Sequence, residues 1–159
     1  FLQYKTWLKE YSKKFGLKIW AYCFMRNHVH FVCVPQSEDS LARTFNTLHM
    51  RYSQYFNRKK GAVGHLWQGR FFSCPLDEAH LYSAIRYVEK NPVSAKIVRS
   101  PENYKWSSAK GHIHKISDPV LSKDCYLTKR IEDWRGYLME KEDERLVNDI
   151  RKNSLTGRP

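Results

Sequence analysis

Hydrophobic and polar positions repeat with two different periods along this chain, and the two periods predict a mixed structure of helices and strands. Residues 3–15 have the helical period and are followed by Gly16, a residue that often ends helices. Residues 18–25 and 28–34 are rich in aromatic and β-branched side chains, which predicts two strands. The short segment 26–27 between them predicts a tight turn, so we expect the two strands to form a hairpin.

A long apolar stripe predicts the next helix. Its members recur at steps of four and three positions: Leu41, Phe45, Leu48, Tyr52 and Tyr55. That spacing lines one face of a helix, which we expect to begin at the capping residues 37–40 and to run to about residue 56. The segment 57–64 that follows is basic and contains glycine, so we interpret it as a loop.

The remaining elements are predicted from shorter signals. Asp77 can cap a helix that runs to about Asn91, because Pro92 disfavours its continuation. The other expected elements are a strand at 69–74, a loop-rich region at 100–127 with one short helix near Trp106, and C-terminal helices at 128–140 and 143–152. The fold class that results is α+β, with helices packed on a central antiparallel sheet.

The charge of the chain indicates its partner. Its 159 residues suit one domain, and Lys and Arg number 28 against 16 Asp and Glu, a formal net charge of +12 at pH 7. Such an excess favours a polyanion, because basic side chains near phosphates release condensed counterions. Aromatic residues make up 14% of the chain and add surfaces on which bases can stack. No stretch is apolar enough for a membrane span, so we expect no membrane partner.

The spacing of the cysteines argues against a structural zinc protein. The chain has four: Cys23, Cys33, Cys74 and Cys125. No pair has the two-residue spacing of a zinc knuckle or a redox motif. We therefore interpret the chain as a reduced, cytoplasmic protein.

Two histidines form half of a candidate metal site. His28 and His30 are two positions apart on the second predicted strand, and the strand period of two points both side chains to the same face. Two imidazoles on one rigid strand can bind a divalent ion. The alternative is an ordinary pair of surface or core histidines.

Tyr87 and Asn91 lie four positions apart on the predicted helix that follows Asp77. This spacing places them on one helical face, one turn apart, away from the apolar positions of the same helix. If that helix packs on the sheet, its polar face can bring Asn91 to the histidines and Tyr87 beside the metal. Tyrosine on a helix is, in the alternative, a packing residue.

These residues lie in segments that resemble a known family. Residues 27–31 (Asn-His-Val-His-Phe) resemble the histidine–hydrophobic–histidine motif of HUH nucleases. Residues 64–71 and 86–93 are similar to REP-associated tyrosine transposases, which belong to the IS200/IS605-like group with a single catalytic tyrosine, and residues 104–108 and 155–159 fit the same pattern.

The resemblance implies a ferredoxin-like HUH nuclease fold, a set of catalytic residues and a reaction. Tyr87 matches the nucleophile, and His28, His30 and Asn91 match the ligands of a divalent metal, Mg²⁺ or Mn²⁺. The implied reaction is cleavage of single-stranded or hairpin-forming repetitive palindromic DNA through a 5′-phosphotyrosine. The implied protein is bacterial and nucleoid-associated, and acts as a monomer or a homodimer.

Basic and aromatic residues outside that set are the expected DNA contacts: Arg26, Arg43, Arg51, Lys59, Lys60, Trp67 and Arg70. Residues 1–115 are expected to form the nuclease domain and residues 116–159 a C-terminal helical extension. Members of the family begin with a strand, whereas this chain opens in a helical pattern, so we expect that first strand to be missing from the sheet.

Two other functions stay open at this point. One is a DNA-binding regulator that has lost catalysis, and the other is a histidine-triad nucleotide hydrolase, which Val32 disfavours because a third histidine is required there. Four further histidines are expected at the surface or near DNA, without a metal: His65, His80, His112 and His114.

Overall fold

The structure is a computed structural model that describes residues 1–141, 145, 147–150 and 152. Its elements, in chain order, are helix α1 (Leu2–Lys14), strands β1 (Leu17–Phe24) and β2 (Val29–Pro35), helices α2 (Ser40–Lys60) and α3 (Glu78–Ser94), a 3₁₀ turn (Pro101–Asn103), and the short helices α4 (Ala109–Ile113), α5 (Leu127–Arg130) and α6 (Trp134–Met139). The two strands pair in an antiparallel sheet. The predicted α+β class and the predicted hairpin are therefore confirmed. No helix of the described residues is long and apolar enough to cross a membrane.

The chain divides into two compact units. The first comprises residues 1–18 and 34–72, and in it α1 packs against α2. Both helices are amphipathic, and each buries the apolar face that its sequence period predicts, with Leu8 of α1 and Leu48 of α2 fully buried.

His49 of α2 lies inside an aromatic cluster of this first unit. Its Nε2 atom is 2.9 Å from the hydroxyl of Tyr4, and its ring stacks on Trp67 with the ring centroids 4.2 Å apart. Trp67 Nε1 also donates a hydrogen bond to the backbone oxygen of His49 over 3.2 Å. Burial among these rings lowers the pKa of His49 to about 4, because the charged imidazolium loses its hydration.

The buried His49 ring predicts that the protein loses stability in mild acid. The imidazole has a pKa of about 6.5 in the unfolded chain, so between pH 6.5 and pH 4 the unfolded state binds a proton that the folded state lacks. The contribution of the neutral ring to stability is complete above pH 6.5 and is lost as the pH falls towards 4, by about 2 kcal/mol between pH 7 and pH 5. Urea unfolding at both pH values measures this loss.

His49→Gln is the control, because glutamine does not titrate. This variant should lose less stability than the wild type between pH 7 and pH 5, and the difference should be about 2 kcal/mol. Equal losses in the two proteins would contradict the assignment of the acid sensitivity to His49.

The second unit comprises residues 19–33 and the described residues from 73 onwards. Its core joins the hairpin, α3 and the C-terminal segments, and includes Ala21, Cys23, Val32, Leu81, Ile85, Val88, Cys125, Leu127, Trp134 and Leu138. Residues from both sides of position 115 thus share one core. The functional division at 115 and 116 stays a prediction.

The strand predicted at 69–74 is wrong. These residues have no regular secondary structure, although Phe71 packs on Phe45 with ring centroids 5.4 Å apart. A strand requires a neighbouring strand for its backbone hydrogen bonds, and the composition of a segment does not show whether one is within reach.

Two helix ends extend further than their patterns predicted. Helix α2 continues to Lys60 instead of residue 56, and Gly61 ends it with a left-handed φ of 62°. Its last turn is polar, so the apolar stripe stops first, and the basic residues there suit the negative end of the helix dipole. Helix α3 continues through Pro92 to Ser94, because Asn91 and Pro92 are both buried and tertiary packing outweighs the local bias.

The C-terminal predictions are met in part. The helix predicted at 128–140 is divided into α5 and α6, because the side chain of Asp133 accepts a hydrogen bond from the Gly136 amide and starts a new helix. Residues 145, 147–150 and 152 are helical, whereas the rest of the helix predicted at 143–152 and the segment 155–159 lie outside the described residues.

Candidate active site

The hairpin places the two candidate metal-binding histidines side by side. The Met25 amide donates a hydrogen bond to the His28 backbone oxygen over 2.8 Å, which closes the predicted tight turn. His28 therefore stands at the end of the turn and His30 on β2, and their ring centroids are 4.7 Å apart in an edge-to-face arrangement.

The surroundings of these two imidazoles favour ring forms that keep an unprotonated nitrogen, whose lone pair can bind a metal. His28 Nδ1 is 2.8 Å from Asn27 Oδ1, so that nitrogen is the donor to the amide oxygen and Nε2 keeps its lone pair. Burial, and secondarily the neighbouring His28, lower the pKa of His30 to about 4. The His30 ring is therefore neutral near pH 7.

Helix α3 brings Tyr87 to the histidines. Asp77 caps this helix by accepting a hydrogen bond from the His80 amide over 2.8 Å, and Leu81, Ile85 and Val88 lie in the core. Tyr87 is half-buried, and its ring centroid lies 5.3 Å from that of His30, again edge to face. The structure thus joins His28, His30 and Tyr87 into one group of rings.

Asn91 lies one turn after Tyr87 on α3. It is buried, with a relative exposure of 9%. Among the described residues, no cluster of three or more His, Cys, Asp or Glu side chains could hold a metal ion. The sequence-predicted donor set is two imidazoles and one amide; of these the structure brings the two imidazoles together, and such a set would fit a divalent ion that keeps positions open for oxygen ligands.

The expected DNA contacts differ in what surrounds them. In the second unit, Arg26 is exposed on the turn directly before Asn27 and His28. In the first unit, Arg43 lies 3.2 Å from Asp39 and covers the ring of Phe15, its guanidinium carbon 4.7 Å from the centroid.

Arg51 is similarly engaged within the first unit. It hydrogen-bonds the hydroxyl of Tyr11, and its guanidinium carbon is 4.6 Å from the ring centroid of Trp7. Arg43 and Arg51 thus stabilise the packing of α1 and the residue after it on α2.

The other first-unit candidates lie at the end of α2 and in the segment after it. Lys59 and Lys60 are exposed in the last turn of α2. Trp67 and Arg70 line an open groove of about 750 Å³, together with Met50, Ser53, Gly64, His65, Leu66, Gln68 and Gly69.

A buried polar cluster behind α3 was missed by the sequence analysis. Glu89 is fully buried and accepts hydrogen bonds from the Ser108 hydroxyl, from His112 Nδ1 over 2.7 Å and from Trp134 Nε1 over 2.8 Å. The expectation that His112 lies at the surface is wrong, since this residue is only 9% exposed. One signal was available: Glu89 follows Ile85 by four positions, so the helical period places a carboxyl on the apolar face.

One comparison with known proteins gives a match. The family model described as "Transposase IS200 like" matches residues 2–91, more than half of the chain. No curated protein and no solved structure matches the chain. The matched segment contains His28, His30, Tyr87 and Asn91.

Proposed function

Because the chain belongs to the IS200-like transposase family, we propose that it is a transposase-type DNA endonuclease that cuts and rejoins single-stranded DNA through a covalent bond to Tyr87. The observation that carries this proposal is the contact between the Tyr87 and His30 rings, whose centroids are 5.3 Å apart. A phenol beside a pair of imidazoles combines a nucleophile with ligands for a cation. Those are the two parts that phosphodiester cleavage requires.

The reaction is a transfer of the phosphoryl group from one oxygen to another. The phenol oxygen of Tyr87 forms a bond to the phosphorus, and the bond between the phosphorus and the 3′ oxygen breaks. The phenol proton passes to solvent, and the departing 3′ oxygen takes up a proton. The products are a 5′-phosphotyrosine and a free 3′-hydroxyl, and attack by a DNA 3′-hydroxyl on the phosphotyrosine reverses the step.

His28, His30 and Asn91 are the residues that would hold a divalent ion, and Mn²⁺ suits imidazole and oxygen ligands while Mg²⁺ favours oxygen. Such an ion, when bound, supplies charge neutralisation on the scissile phosphate. The contribution of the chain is to fix these donors in place. Asn27 orients the His28 ring through a hydrogen bond of 2.8 Å, and β2 fixes the backbone at His30.

The DNA substrate is proposed to be single-stranded or extruded from a hairpin of repetitive palindromic sequence. The net charge of +12 supports a nucleic acid. Arg26 on the exposed turn is next to the imidazoles and suits a phosphate near the scissile bond. Trp67, Arg70, Lys59 and Lys60 are proposed to contact DNA further from the reaction, while Arg43 and Arg51 contribute charge from a structural position.

A covalent adduct tests this function directly. The protein is incubated with a hairpin oligonucleotide that carries a single-stranded extension and a 3′-end label, in the presence of Mn²⁺ or Mg²⁺. We expect a labelled protein band that survives denaturing electrophoresis, because the 5′-phosphotyrosine retains the 3′ part of the strand. A 5′-end label should instead leave as a free fragment.

The fully paired duplex of the same sequence is the matched control and should give no adduct. Tight binding of the hairpin without any adduct in either metal would contradict the nuclease. That result would favour the catalytically silent DNA-binding regulator. Gel filtration of the protein with and without DNA separates a monomer from a homodimer.

A further inference from the structure

The fully buried carboxylate of Glu89 lies on α3, the helix that carries the proposed nucleophile Tyr87, but takes no part in the proposed chemistry. Its Oε1 accepts hydrogen bonds from Ser108 and His112, and its Oε2 accepts one from Trp134. A carboxylate with no exposed surface is costly to bury unless it is fully hydrogen-bonded. Here every partner is a donor, so the cluster specifies one arrangement of the side chains that meet in it.

These donors come from two elements of the second unit, α4 with its N-cap and α6. Ser108 directly precedes α4, His112 lies in α4, and Trp134 lies in α6. Ser108 also accepts a hydrogen bond from the Tyr22 amide of β1 over 3.0 Å, and its own amide donates to the Tyr22 backbone oxygen over 3.0 Å. The cluster therefore links α3 to the strand that pairs with β2, which carries His30.

Glu89 and the proposed nucleophile Tyr87 lie on the same helix, so the hydrogen bonds of Glu89 affect the orientation of Tyr87. Glu89 follows Tyr87 by two positions and precedes Asn91 by two, and at about 100° per residue it projects from the opposite side of the helix. An anchor on that side resists rotation of the helix about its axis. A rotation of about 20° would move a phenol oxygen roughly 8 Å from the axis by about 3 Å.

We propose that Glu89 is a positioning residue, whose carboxylate fixes the rotation of α3 about its axis and thereby the aim of the Tyr87 phenol. This inference rests on the proposed role of Tyr87 as the nucleophile. A second anchor on α3, Arg86, donates to the Tyr137 backbone oxygen over 2.9 Å and pairs with Glu140. Within the part of the chain that the structure describes, the hydrogen bonds of Arg86 go to α6 and the residue after it, so they hold the helix in the fold without connecting it to the hairpin.

Glu89→Gln is the test, because glutamine has nearly the same shape but only one acceptor oxygen. The amide nitrogen of the glutamine must then face one of the three donors, so at least one of the hydrogen bonds that fix α3 is lost. We expect the single-turnover rate of adduct formation at saturating DNA to fall by about 10- to 100-fold, since a misplacement of about 1 Å can cost that much. The dissociation constant for DNA should change by less than about 2-fold, because Glu89 has no exposed surface.

Tyr22→Phe is the matched control for a purely structural effect. It removes the partly buried hydrogen bond from the Tyr22 hydroxyl to Asp118, 2.6 Å long, in the same unit, and it leaves the Tyr22 amide that binds Ser108. This variant should lose stability while its rate of adduct formation stays within about 2-fold of the wild type. An equal loss of rate in Glu89→Gln and Tyr22→Phe would overturn the proposal.

A spectroscopic readout follows Tyr87 without relying on activity. In protein containing 3-fluorotyrosine, the ¹⁹F resonance of Tyr87 is identified by its absence in Tyr87→Phe. Glu89→Gln should shift or broaden that resonance, since the ring changes its packing against His30, whereas Tyr22→Phe should leave it in place. An unchanged Tyr87 resonance in Glu89→Gln would also overturn the proposal.

Trp134→Phe covers the case in which Glu89→Gln does not fold. It removes one of the three donors and keeps an aromatic ring, so it should lower the rate in the same direction by a smaller factor. A rate equal to that of Tyr22→Phe would overturn the inference. If the wild-type protein forms no adduct, the proposed function itself fails, which is a different outcome.

Discussion

Tyr87→Phe is expected to abolish formation of the covalent DNA adduct, with a loss of at least about 1,000-fold in cleavage rate. Phenylalanine keeps the ring that packs beside His30, whose centroid is 5.3 Å away, but lacks the oxygen that forms the bond to phosphorus. The dissociation constant for hairpin DNA should stay within about 2-fold of the wild-type value, because the variant loses a group that acts in the transition state. Denaturing electrophoresis of end-labelled DNA measures the first quantity and fluorescence anisotropy the second.

Tyr82→Phe is the matched control for this substitution. Tyr82 lies on the same helix and loses the same hydroxyl, but its ring packs against Tyr137 with centroids 6.4 Å apart. Cleavage by this variant should remain close to that of the wild type. Residual adduct in Tyr87→Phe, or its loss in Tyr82→Phe alone, would assign the nucleophile to another residue.

Removal of the paired imidazoles is the second large expected effect. His28→Ala and His30→Ala should each lower the cleavage rate by at least about 100-fold in Mn²⁺ or Mg²⁺, because each takes away a proposed ligand of the ion that would neutralise the scissile phosphate. Raising the metal concentration should recover part of the activity of a single variant, and the double variant should be inactive. Chelation of the metal should abolish cleavage by the wild type.

The controls for this prediction separate ligation from charge and folding. His114→Ala removes an exposed histidine at the end of α4 and should leave the rate unchanged. Asn27→Ala removes the amide that orients His28 and should cost about 10-fold, less than the loss of a ligand. Full activity of His28→Ala and His30→Ala in the presence of a chelator would exclude these residues as a metal site.

The elements that carry the site could be predicted because their patterns are local. The period of two predicts that His28 and His30 share one face, although His28 lies at the end of the turn just before β2, and the period of the helix places Tyr87 one turn before Asn91. Neither period gives the distance between the strand and the helix. The approach of Tyr87 to His30 depends on packing between residues far apart in sequence. The family resemblance implied this approach, and the structure has the two rings 5.3 Å apart.

Two failures of prediction also come from contacts between residues far apart in sequence. The segment 69–74 has the composition of a strand, but its pairing depends on a neighbour that the local pattern does not reveal. His112 was interpreted as a surface residue because it lies in a loop-like segment beside Lys110 and Lys115, whereas its partner Glu89 is on a different helix. The end of α2 was missed because the last turn carries no apolar residue for the stripe to continue.

The rings of His28, His30 and Tyr87 meet within a single polypeptide. In an enzyme whose nucleophile comes from a neighbouring subunit, two inactive variants can complement each other, because a mixed dimer combines the intact nucleophile of one chain with the intact metal ligands of the other. Under the proposed roles each chain carries both its nucleophile and its metal ligands, so we expect that mixing a chain that lacks Tyr87 with a chain that lacks His30 restores no cleavage.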